Sequence, residues 1–378
     1  MIYFDNAATG GTKPERVIDS ALNTIKYLSV NPGRSAHRLA VHAEELVYKT
    51  RKAVCSFFNS DCCEQVIFTK NCTEALNLAI LGLAKKGGHV ITSTFEHNSV
   101  LRPLYHLEKK GIITLTVIKP QKGNIILKED IEKALTDKTY MVCLTCASNV
   151  TGEINDYEAI GGLLKKKGVL FLVDGAQGAG HLILDMQKQN IDILCFSAHK
   201  GIDGIQGIGC LIFKKGIKIE PTLFGGSGSE SFAPLPSGYP ELLECGTCNL
   251  PAICALYESI LYTKENLIEK QHYLIELTAK LIGYLKKING VRLYSTQNPI
   301  GIVSFAYKHY FSQEIAGILS EKFDIAVRGG FHCAPLTHDF LNTKTNGLIR
   351  VSFSQFNTIS EINEFVFALK NVDKYLYF

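Results

Sequence analysis

The segment "DILCFSAHKGIDGIQGIGCLIFK", residues 192–214, contains two short apolar runs separated by a stretch rich in polar residues and glycine. Runs that are apolar almost throughout are typical of strands covered on both faces of a sheet. Lys200 comes just after the first run and precedes backbone that glycine allows to bend sharply. A lysine in that position is either a solvated loop residue or an amine held against a ligand in a cleft.

The same pattern extends over roughly residues 66 to 215, where short apolar runs alternate with helix-like segments. The other runs are "QVIFT", "HVITST", "LTVIK", "YMVCLTC" and "VLFLVD". This alternation predicts an α/β fold with a mostly parallel sheet. One intervening segment, "TEALNLAILGLAKK" from Thr73, predicts a helix with lysines in its last turn before Gly87.

The pattern changes after Asn249 to a long helical region, which is followed by the strand-like "GIVSFAY", a helix from about Ser312 and an amphipathic helix after Thr358. This predicts a second, smaller α+β domain in the C-terminal part. We expect a large domain at residues 14–248 and a small domain built from residues 1–13 and 249–378. Residues 225–238, rich in Gly, Ser and Pro, are expected to form a mobile loop.

The composition is that of a globular protein: 46% of the 378 residues are apolar and 20% are charged. Lys and Arg total 40 against 36 acidic residues without a dense basic run, so nucleic-acid binding gains no support. No targeting segment or membrane span is recognisable, and a cytoplasmic protein is expected. The twelve cysteines are interpreted as reduced thiols, most of them small buried apolar residues.

Two Cys-x-x-Cys spacings raise the question of a metal site. Cys143 and Cys146 belong to a strand-like run, where an offset of three residues points side chains to opposite faces. Cys245 and Cys248 have no histidine nearby at ligand spacing. No metal site is therefore expected.

Polar residues follow successive predicted strands, at the sheet edge where open α/β proteins bind ligands. They are Asn71 and Thr73, then His97, then Asn149, then Asp174 and Gln177, and finally Ser197, His199 and Lys200. Each alone would be explained as a helix cap or a structural residue. Together they provide an anion site, an aromatic ring, a carboxylate, hydrogen-bond donors and an amine. That set fits pyridoxal 5'-phosphate, which a lysine binds as a Schiff base while an acidic group holds the pyridine nitrogen protonated.

The chain resembles class V aminotransferase-fold enzymes of pyridoxal phosphate fold type I, and among them the cysteine desulfurase and selenocysteine lyase group. The most specific motifs are "VDGAQ" at residues 173–177 and "SAHK" at residues 197–200. The resemblance continues through "YFDNAATGGTKP", "NPGRSAHRLA", "FTKNCTEALN", "FEHNS", "SNVTG", "ECGTCN", "AVRGGFHCAP" and "LIRVSFSQFN". The sequence departs from the family pattern at Cys72, Ile205, Cys248 and Phe331, which indicates a divergent branch.

The resemblance implies a role for each polar residue of the strand ends. Lys200 would form the Schiff base, Asp174 would hold the pyridine nitrogen, Gln177 would reach the phenolate oxygen, and His97 would stack on the ring and relay protons. Further cofactor contacts are implied for Cys72, for Thr73, Ser197 and His199 at the phosphate, and for Gly246 and Thr247 at the phosphate of the neighbouring subunit's cofactor. The sharing of that phosphate implies a homodimer.

The resemblance also implies a substrate site. Arg350 would bind the substrate α-carboxylate, for which a bidentate guanidinium is geometrically suited. Asn149 would contact substrate and cofactor, and Arg328 and His37 would contribute further substrate contacts. The alternative for Arg350 is a surface ion pair at a strand end.

Cys333 in "RGGFHCAP" matches the cysteine that forms a persulfide in the family. A single cysteine among twelve is more often a small, buried apolar side chain without a chemical role. Its setting is distinctive, with a Gly-Gly loop before it, Pro335 after it, and Arg328 and His332 nearby to favour the thiolate. The implied reaction converts L-cysteine to L-alanine and leaves sulfur on Cys333, from which a sulfur-acceptor protein would take it.

Two alternatives stay open at this point. Selenocysteine lyase, or another class V lyase or aminotransferase acting on a small amino acid, would keep the cofactor and change the bond that breaks. A non-catalytic pyridoxal-fold protein would bind or regulate without turnover. The presence of Lys200, Asp174 and Arg350 together argues against the non-catalytic alternative.

Overall fold

The computed structural model describes residues 1–33 and 35–376. Its strands are β1 Ile2–Tyr3, β2 Val66–Thr69, β3 Gly88–Ser93, β4 Ile113–Ile118, β5 Thr139–Thr145, β6 Leu170–Asp174, β7 Ile193–Ser197, β8 Gly209–Phe213, β9 Val291–Leu293, β10 Ile302–Tyr307, β11 Ile325–Ala326, β12 Arg328–Gly330 and β13 Leu348–Ser352. Its α-helices are α1 Glu15–Tyr27, α2 Arg38–Phe57, α3 Cys72–Gly82, α4 Asn98–Lys109, α5 Lys128–Ala134, α6 Tyr157–Lys167, α7 Leu250–Leu285, α8 Ser312–Phe323, α9 Pro335–Phe340 and α10 Ile359–Asn371. None of these helices is long and apolar enough to cross a membrane.

The largest sheet in the described ranges has seven strands in the order β2-β8-β7-β6-β5-β3-β4. Strand β8 is antiparallel to both of its neighbours, and all other adjacent pairs are parallel. The mostly parallel sheet expected from the sequence is thus confirmed. The register pairs Thr145 with Asp174 and Asp174 with Cys195, so that β5, β6 and β7 end at one edge.

Both faces of this sheet are covered by helices, which explains why its strands lack alternation between apolar and polar residues. Leu144 and Val173 belong to a core cluster that also contains residues of α2, α6 and α7. Cys143 and Cys195 belong to a second cluster, with residues of α3 and α4. Buried cysteines therefore serve as small apolar side chains in the helix-covered sheet.

The C-terminal part contains an antiparallel sheet in the order β12-β13-β10-β9, and β1 pairs with β11 beside it. The long helix α7 packs on α1 and α2 and also on α10 and β10. The sequence prediction of strand "GIVSFAY" and of helices near Ser312 and Thr358 is confirmed. We propose the division into residues 14–248 on one side, with 1–13 and 249–378 on the other, as the domain boundary.

Two local predictions are wrong. Helix α3 ends at Gly82, before Lys85 and Lys86, because the Gly82 carbonyl accepts a hydrogen bond of 3.0 Å from the Glu220 amide in place of one from the next turn of helix. The Gly-Gly stretch at residues 329–330 is part of strand β12, paired with β13, and is not a free loop. Pro335 starts helix α9, where its missing N–H is harmless.

The aromatic core of the C-terminal part gives a stability prediction. Phe365 is 0% exposed and its ring lies near those of Phe4 and Phe305, whereas Phe367 is 66% exposed on the same helix. Phe365→Ala is expected to lower the free energy of unfolding by about 3–5 kcal/mol, because it removes buried apolar surface and leaves a cavity. Phe367→Ala, the matched control, should change it by less than about 1 kcal/mol. Equal losses in chemical denaturation would contradict this packing.

Candidate active site

Lys200 lies just beyond β7 at the edge where β5 and β6 also end. Its side chain is half-buried, and burial lowers the pKa of its amine from the ordinary value. The nearby guanidinium groups of Arg350 and Arg328 lower that pKa further, while Cys72 and Asp174 oppose the shift. Lys200 is therefore a half-buried amine at this edge of the sheet, and it loses its proton more readily than a solvated lysine.

Asp174, the last residue of β6, is 2% exposed. Its Oδ1 accepts a hydrogen bond of 2.9 Å from the Ala176 amide and a longer one of 3.6 Å from the Cys72 thiol. Burial raises the pKa of Cys72 well above its ordinary value, so this thiol keeps its proton and acts as a donor. Cys72 opens helix α3, whose cap is Asn71, as one reading of the sequence predicted.

A chain of hydroxyl and imidazole groups connects Thr73 to His97 through Ser99. Ser99 Oγ lies 2.8 Å from Thr73 Oγ1 and 2.8 Å from His97 Nδ1. The Ser99 amide donates to the same Nδ1 at 3.0 Å, which makes His97 the cap of α4 and leaves the ring proton on Nε2. Burial lowers the pKa of His97, so the ring is neutral. Ser99 is a site residue that the sequence reasoning missed, although it lies in the quoted "FEHNS" motif.

At the ends of β6 and β7, Gln177 Oε1 and Ser197 Oγ are buried and have no partner among the described residues. The other end of the Gln177 amide donates to the Ala7 carbonyl at 3.0 Å, which fixes its orientation. Buried polar groups are almost always hydrogen-bonded in folded proteins. These two atoms therefore fit a polar ligand that contacts the ends of β6 and β7.

His199 contacts the N-terminal segment. Its Nδ1 lies 3.0 Å from Thr9 Oγ1, and its carbonyl accepts hydrogen bonds from the Gly10 amide at 2.8 Å and from Lys13 Nζ at 3.0 Å. Burial and the charges of Lys200 and Lys13 lower the pKa of His199 to about 4. Residues 9–13 thereby pack against the segment that carries His199 and Lys200, a contact that the sequence reasoning did not anticipate.

Arg350 on β13 is 1% exposed and reaches the site from the C-terminal sheet. Its Nη2 lies 2.8 Å from Asp5 Oδ1, and its Nη1 donates to the Asn149 carbonyl at 2.9 Å. Its Nε is buried and has no partner in the described part of the chain. The surface ion pair weighed as an alternative is wrong, since the guanidinium is buried. Asp5 was missed, although it lies in the quoted "YFDNAATGG" stretch.

Cys333 is exposed and has a positive φ of 58° in the turn between β12 and α9. Its carbonyl accepts from the Asn98 amide at 2.8 Å, and its Sγ lies 3.8 Å from Arg328 Nη2. It lines a cavity of about 560 Å³ together with Thr73 and His97. The tertiary structure thus places the exposed thiol beside two of the strand-end residues.

His332 does not support the thiolate as expected. It is 2% exposed, and burial together with the charge of Arg350 lowers its pKa well below the ordinary value. Its Nε2 lies 3.1 Å from the Leu348 carbonyl, and the His332 carbonyl accepts from Asn149 Nδ2 at 2.6 Å. A neutral, buried imidazole adds no positive charge, whereas the Arg328 guanidinium does so with its Nη2 3.8 Å from the Cys333 sulfur.

Three predicted site residues lie outside this group. His37 is exposed and caps α2, with its Nδ1 3.2 Å from the Ala40 amide. Gly246 and Thr247 are exposed and line a different cavity of about 540 Å³, next to Cys245. The predicted roles of these three residues stay predictions.

The cysteine pairs do not form a metal centre within the described ranges, where no cluster of three or more His, Cys, Asp or Glu residues has metal-binding geometry. Cys143 and Cys146 are both buried, and burial raises the pKa of each thiol. Cys245 and Cys248 are half-buried. All twelve cysteines lie in described residues and are free thiols.

Comparison with known proteins identifies the family. The family model of class V aminotransferases, described as "Aminotransferase class-V", matches residues 2–365, and the chain belongs to that family. A curated relative from Pyrococcus abyssi, "Probable cysteine desulfurase", is 34% identical over 100% of this chain and 95% of its own length. A second, from Borreliella burgdorferi, bears the same name and is 32% identical over 100% and 92%. A solved cysteine desulfurase from Thermococcus onnurineus superposes with a TM-score of 0.88 at 31% identity, covering 99% of this chain and 95% of that one. The resemblance and the fold class expected from the sequence are confirmed.

The exposure of the thiols predicts the order in which they react. With limiting N-ethylmaleimide on the native protein, Cys333 should be modified first, because it is exposed and borders an open cavity. Cys72 should stay unmodified despite lying in the site, since it is buried and holds its proton. Peptide mass spectrometry reads out both, and the Cys333→Ser variant controls for the fast-reacting peptide. Labelling of Cys72 at the rate of Cys333 would contradict the geometry.

Proposed function

We propose that this protein is a pyridoxal 5'-phosphate-dependent cysteine desulfurase, which converts L-cysteine to L-alanine and transfers the sulfur to Cys333. The observation that carries the proposal is the position of Cys333, an exposed thiol at the cavity that His97 and Thr73 line. The relatives and the solved structure with this fold bear the same activity in their names, which supports the proposal.

The cofactor would be held by the residues at the strand ends. The Ser197 hydroxyl, a donor or acceptor, and the Gln177 Oε1 acceptor are buried without a partner in the described chain, and both would form hydrogen bonds with the cofactor. Asp174 would contact the ring nitrogen, and the N-terminus of α3 with Thr73 would contact the phosphate. When bound, the cofactor supplies an electron sink for bond changes at the substrate α-carbon.

Lys200 would serve as the base at the substrate α-carbon after releasing the cofactor. Its lowered pKa means that the free amine is available nearer to neutral pH than that of an ordinary lysine. His97 presents a neutral ring with its proton on Nε2, because Nδ1 accepts from the Ser99 amide. It would stack on the cofactor ring and can donate or return that proton.

Arg350 and Asn149 would orient the substrate. Asp5 balances the charge of the buried guanidinium, whose Nε is still free to donate within the described chain. A guanidinium is geometrically suited to a carboxylate, and the charge of Arg350 also lowers the pKa of the Lys200 amine. The Asn149 side chain donates to the His332 carbonyl, and the Asn149 carbonyl accepts from Arg350. Asn149 therefore connects Arg350 to the residue that precedes Cys333.

Cys333 would take up the sulfur. Its thiolate attacks the sulfur of the substrate, a new S–S bond forms, and the bond between that sulfur and Cβ breaks. The electron pair of the broken bond stays on Cβ, which gains a proton and becomes the methyl group of alanine. Cys333 then carries a persulfide, and no external oxidant or reductant is consumed. Its exposure would let an acceptor protein or thiol collect that sulfur.

We also infer a homodimer. Apolar side chains are exposed on α1 at Ile18, Leu22 and Ile25 and in the segment containing Leu223 and Phe224. Exposed apolar surface of this kind is typical of protein interfaces. A partner there would lie near Gly246 and Thr247, which share a cavity with Leu223. Twelve free thiols favour a reducing compartment, so we infer a cytoplasmic enzyme.

The first test concerns Lys200. Borohydride reduction of the protein loaded with pyridoxal phosphate, followed by peptide mapping, should find the cofactor on Lys200. Lys200→Ala should lose this attachment and at least about a thousandfold of the turnover while keeping its fold. Lys214→Ala is the control and should keep the attachment, because Lys214 is a half-buried lysine paired with Asp192 outside the Lys200 loop, whereas Lys13 is a neighbouring half-buried amine whose pKa burial lowers to about 8. Cofactor attached to Lys13 in the wild type would overturn the assignment.

The second test concerns Cys333. Cys333→Ser should keep cofactor binding and lose most alanine release from L-cysteine, because serine cannot accept the sulfur. Mass spectrometry after brief exposure of the wild type to L-cysteine should find one added sulfur on the peptide with Cys333. Cys245→Ser is the control and should keep wild-type turnover. Added sulfur on Cys245, or undiminished turnover in Cys333→Ser, would refute the mechanism. Turnover of selenocysteine alone would identify a selenocysteine lyase.

A further inference from the structure

The backbone on both sides of Lys200 is fixed by hydrogen bonds to its carbonyl groups. The carbonyls of residues 198 to 202 all accept hydrogen bonds: Ala198 from the Gly204 amide at 2.9 Å, His199 from Lys13 Nζ at 3.0 Å, Lys200 from the Asp203 amide at 2.9 Å, Gly201 from Lys270 Nζ at 2.6 Å, and Ile202 from Thr263 Oγ1 at 3.1 Å. Two of these donors are ammonium groups from distant parts of the chain. A loop with such contacts has little freedom to shift the amine of Lys200.

Lys270 contributes the most unusual of these contacts. Its side chain is 1% exposed, and its Nζ lies 2.7 Å from Asp203 Oδ2, whose side chain is 3% exposed. A buried ammonium costs free energy unless it is paired and its protons are hydrogen-bonded. Here the Lys270 ammonium donates to the Gly201 carbonyl and to the Asp203 carboxylate, and both acceptors belong to the loop that carries Lys200. Asp203 has a positive φ of 58°, a conformation that the ion pair helps to hold.

The next residue of α7 holds the neighbouring loop. Gln271 Nε2 donates to the His181 carbonyl at 2.6 Å, and His181 Nδ1 lies 2.8 Å from the Gln177 carbonyl. The loop after β6 carries Asp174 and Gln177, so consecutive residues of one helix contact both loops that bear the site. Gly180 and Gly201 pack so closely that a Cβ on Gly180 would be 2.1 Å from the Gly201 carbonyl oxygen. Helix α7 therefore sets the distance between the two loops.

Asp203 also connects the Lys200 loop to the strand that bears Arg350. Gln355 Nε2 donates to Asp203 Oδ2 at 3.0 Å, and Gln355 lies just beyond β13. The same carboxylate oxygen thus receives a bond from α7 and a bond from the C-terminal part. A shift of Asp203 would move the amine and the guanidinium relative to one another.

We propose that Lys270 and Asp203 are positioning residues, which fix the amine of Lys200 relative to Asp174 and Arg350 from behind the site. This inference rests on the proposed role of Lys200 as the cofactor lysine. Neither residue enters the reaction. The ion pair acts through the Gly201 carbonyl and through Gln355, and it determines how well Lys200 is placed for attack on an aldehyde carbon.

The test measures the reaction of Lys200 with pyridoxal 5'-phosphate alone. Cofactor-free protein is mixed with the compound, and imine formation is followed by stopped-flow absorbance. Visible circular dichroism per bound cofactor then reports the orientation of the ring. Lys270→Met should slow imine formation by about tenfold and change the visible signal, since misplacement by a fraction of an ångström disturbs the attack geometry.

Lys214→Met is the matched control. Lys214 Nζ lies 2.9 Å from Asp192 Oδ1, and both side chains of this second lysine–aspartate pair are half-buried. The two residues flank strands β8 and β7 of the large sheet. That variant should keep the wild-type rate and visible signal. Asp203→Asn provides a second, milder variant, because asparagine tolerates a positive φ and keeps an oxygen for Lys270. It should slow imine formation by about threefold, less than Lys270→Met because part of the contact survives.

A purely structural role for the pair makes a different prediction. It would lower the thermal unfolding temperature of both variants while leaving the imine rate and the visible signal per bound cofactor at wild-type values, and that result would overturn the proposal. If Lys270→Met does not fold, Asp203→Asn decides the outcome. A failure of the desulfurase proposal leaves these readouts unchanged, because no substrate is added. A wild type that forms no imine at Lys200 would instead refute the assignment of the cofactor lysine.

Discussion

The parallel register of β5, β6 and β7 is the constraint on which the site depends. Because Thr145 pairs with Asp174 and Asp174 with Cys195, the three strands finish at one edge of the sheet. Residues that follow them in sequence, such as Asn149, Gln177 and Lys200, must then leave the sheet on the same side. The apolar strands behind them are packed between helices on both faces. A close-packed core of this kind holds the edge in place, and Ala179, Ala198 and Ile202 of the loops are themselves buried in it.

Burial then sets the protonation of the groups that meet there. It lowers the pKa of Lys200, His97 and His199, and it raises the pKa of Cys72. The neutral forms of these side chains are favoured, and the buried cation of Arg350 is balanced by Asp5. A site arranged in this way exposes few net charges to one another, and its lysine releases a proton more readily than a solvated lysine does. Cys333, by contrast, is exposed, and it lines the cavity that Thr73 and His97 also line.

The C-terminal sheet supplies what the large sheet lacks. Arg350 and Cys333 both come from this part, and Asn149 reaches toward each of them through the Arg350 guanidinium and the His332 carbonyl. Helix α7 extends from the large sheet to the C-terminal core, and two of its residues, Lys270 and Gln271, hold the loops of β7 and β6. The two parts of the chain are therefore joined at the site itself and not only through the connecting helix.

Much of this could be read from the sequence. The apolar runs, the polar residues after each of them and the cap at Asn71 depend on neighbours along the chain, and sequence periodicity and capping preferences report such neighbours directly. They predicted the sheet and the polar groups at its edge, while the motifs at residues 173–177 and 197–200 carried the resemblance to the family. The end of α3 at Gly82 and the pairing of β12 depend on contacts with Glu220 and β13, which no local pattern records. The same holds for Asp5 with Arg350, 345 positions apart, and for Lys270 with Asp203, 67 positions apart. The sequence by itself determined which chemical groups are available and on which elements they lie. The tertiary structure alone decided which of them meet, which are buried and which keep their protons, because these properties arise from packing between segments that are distant in the chain.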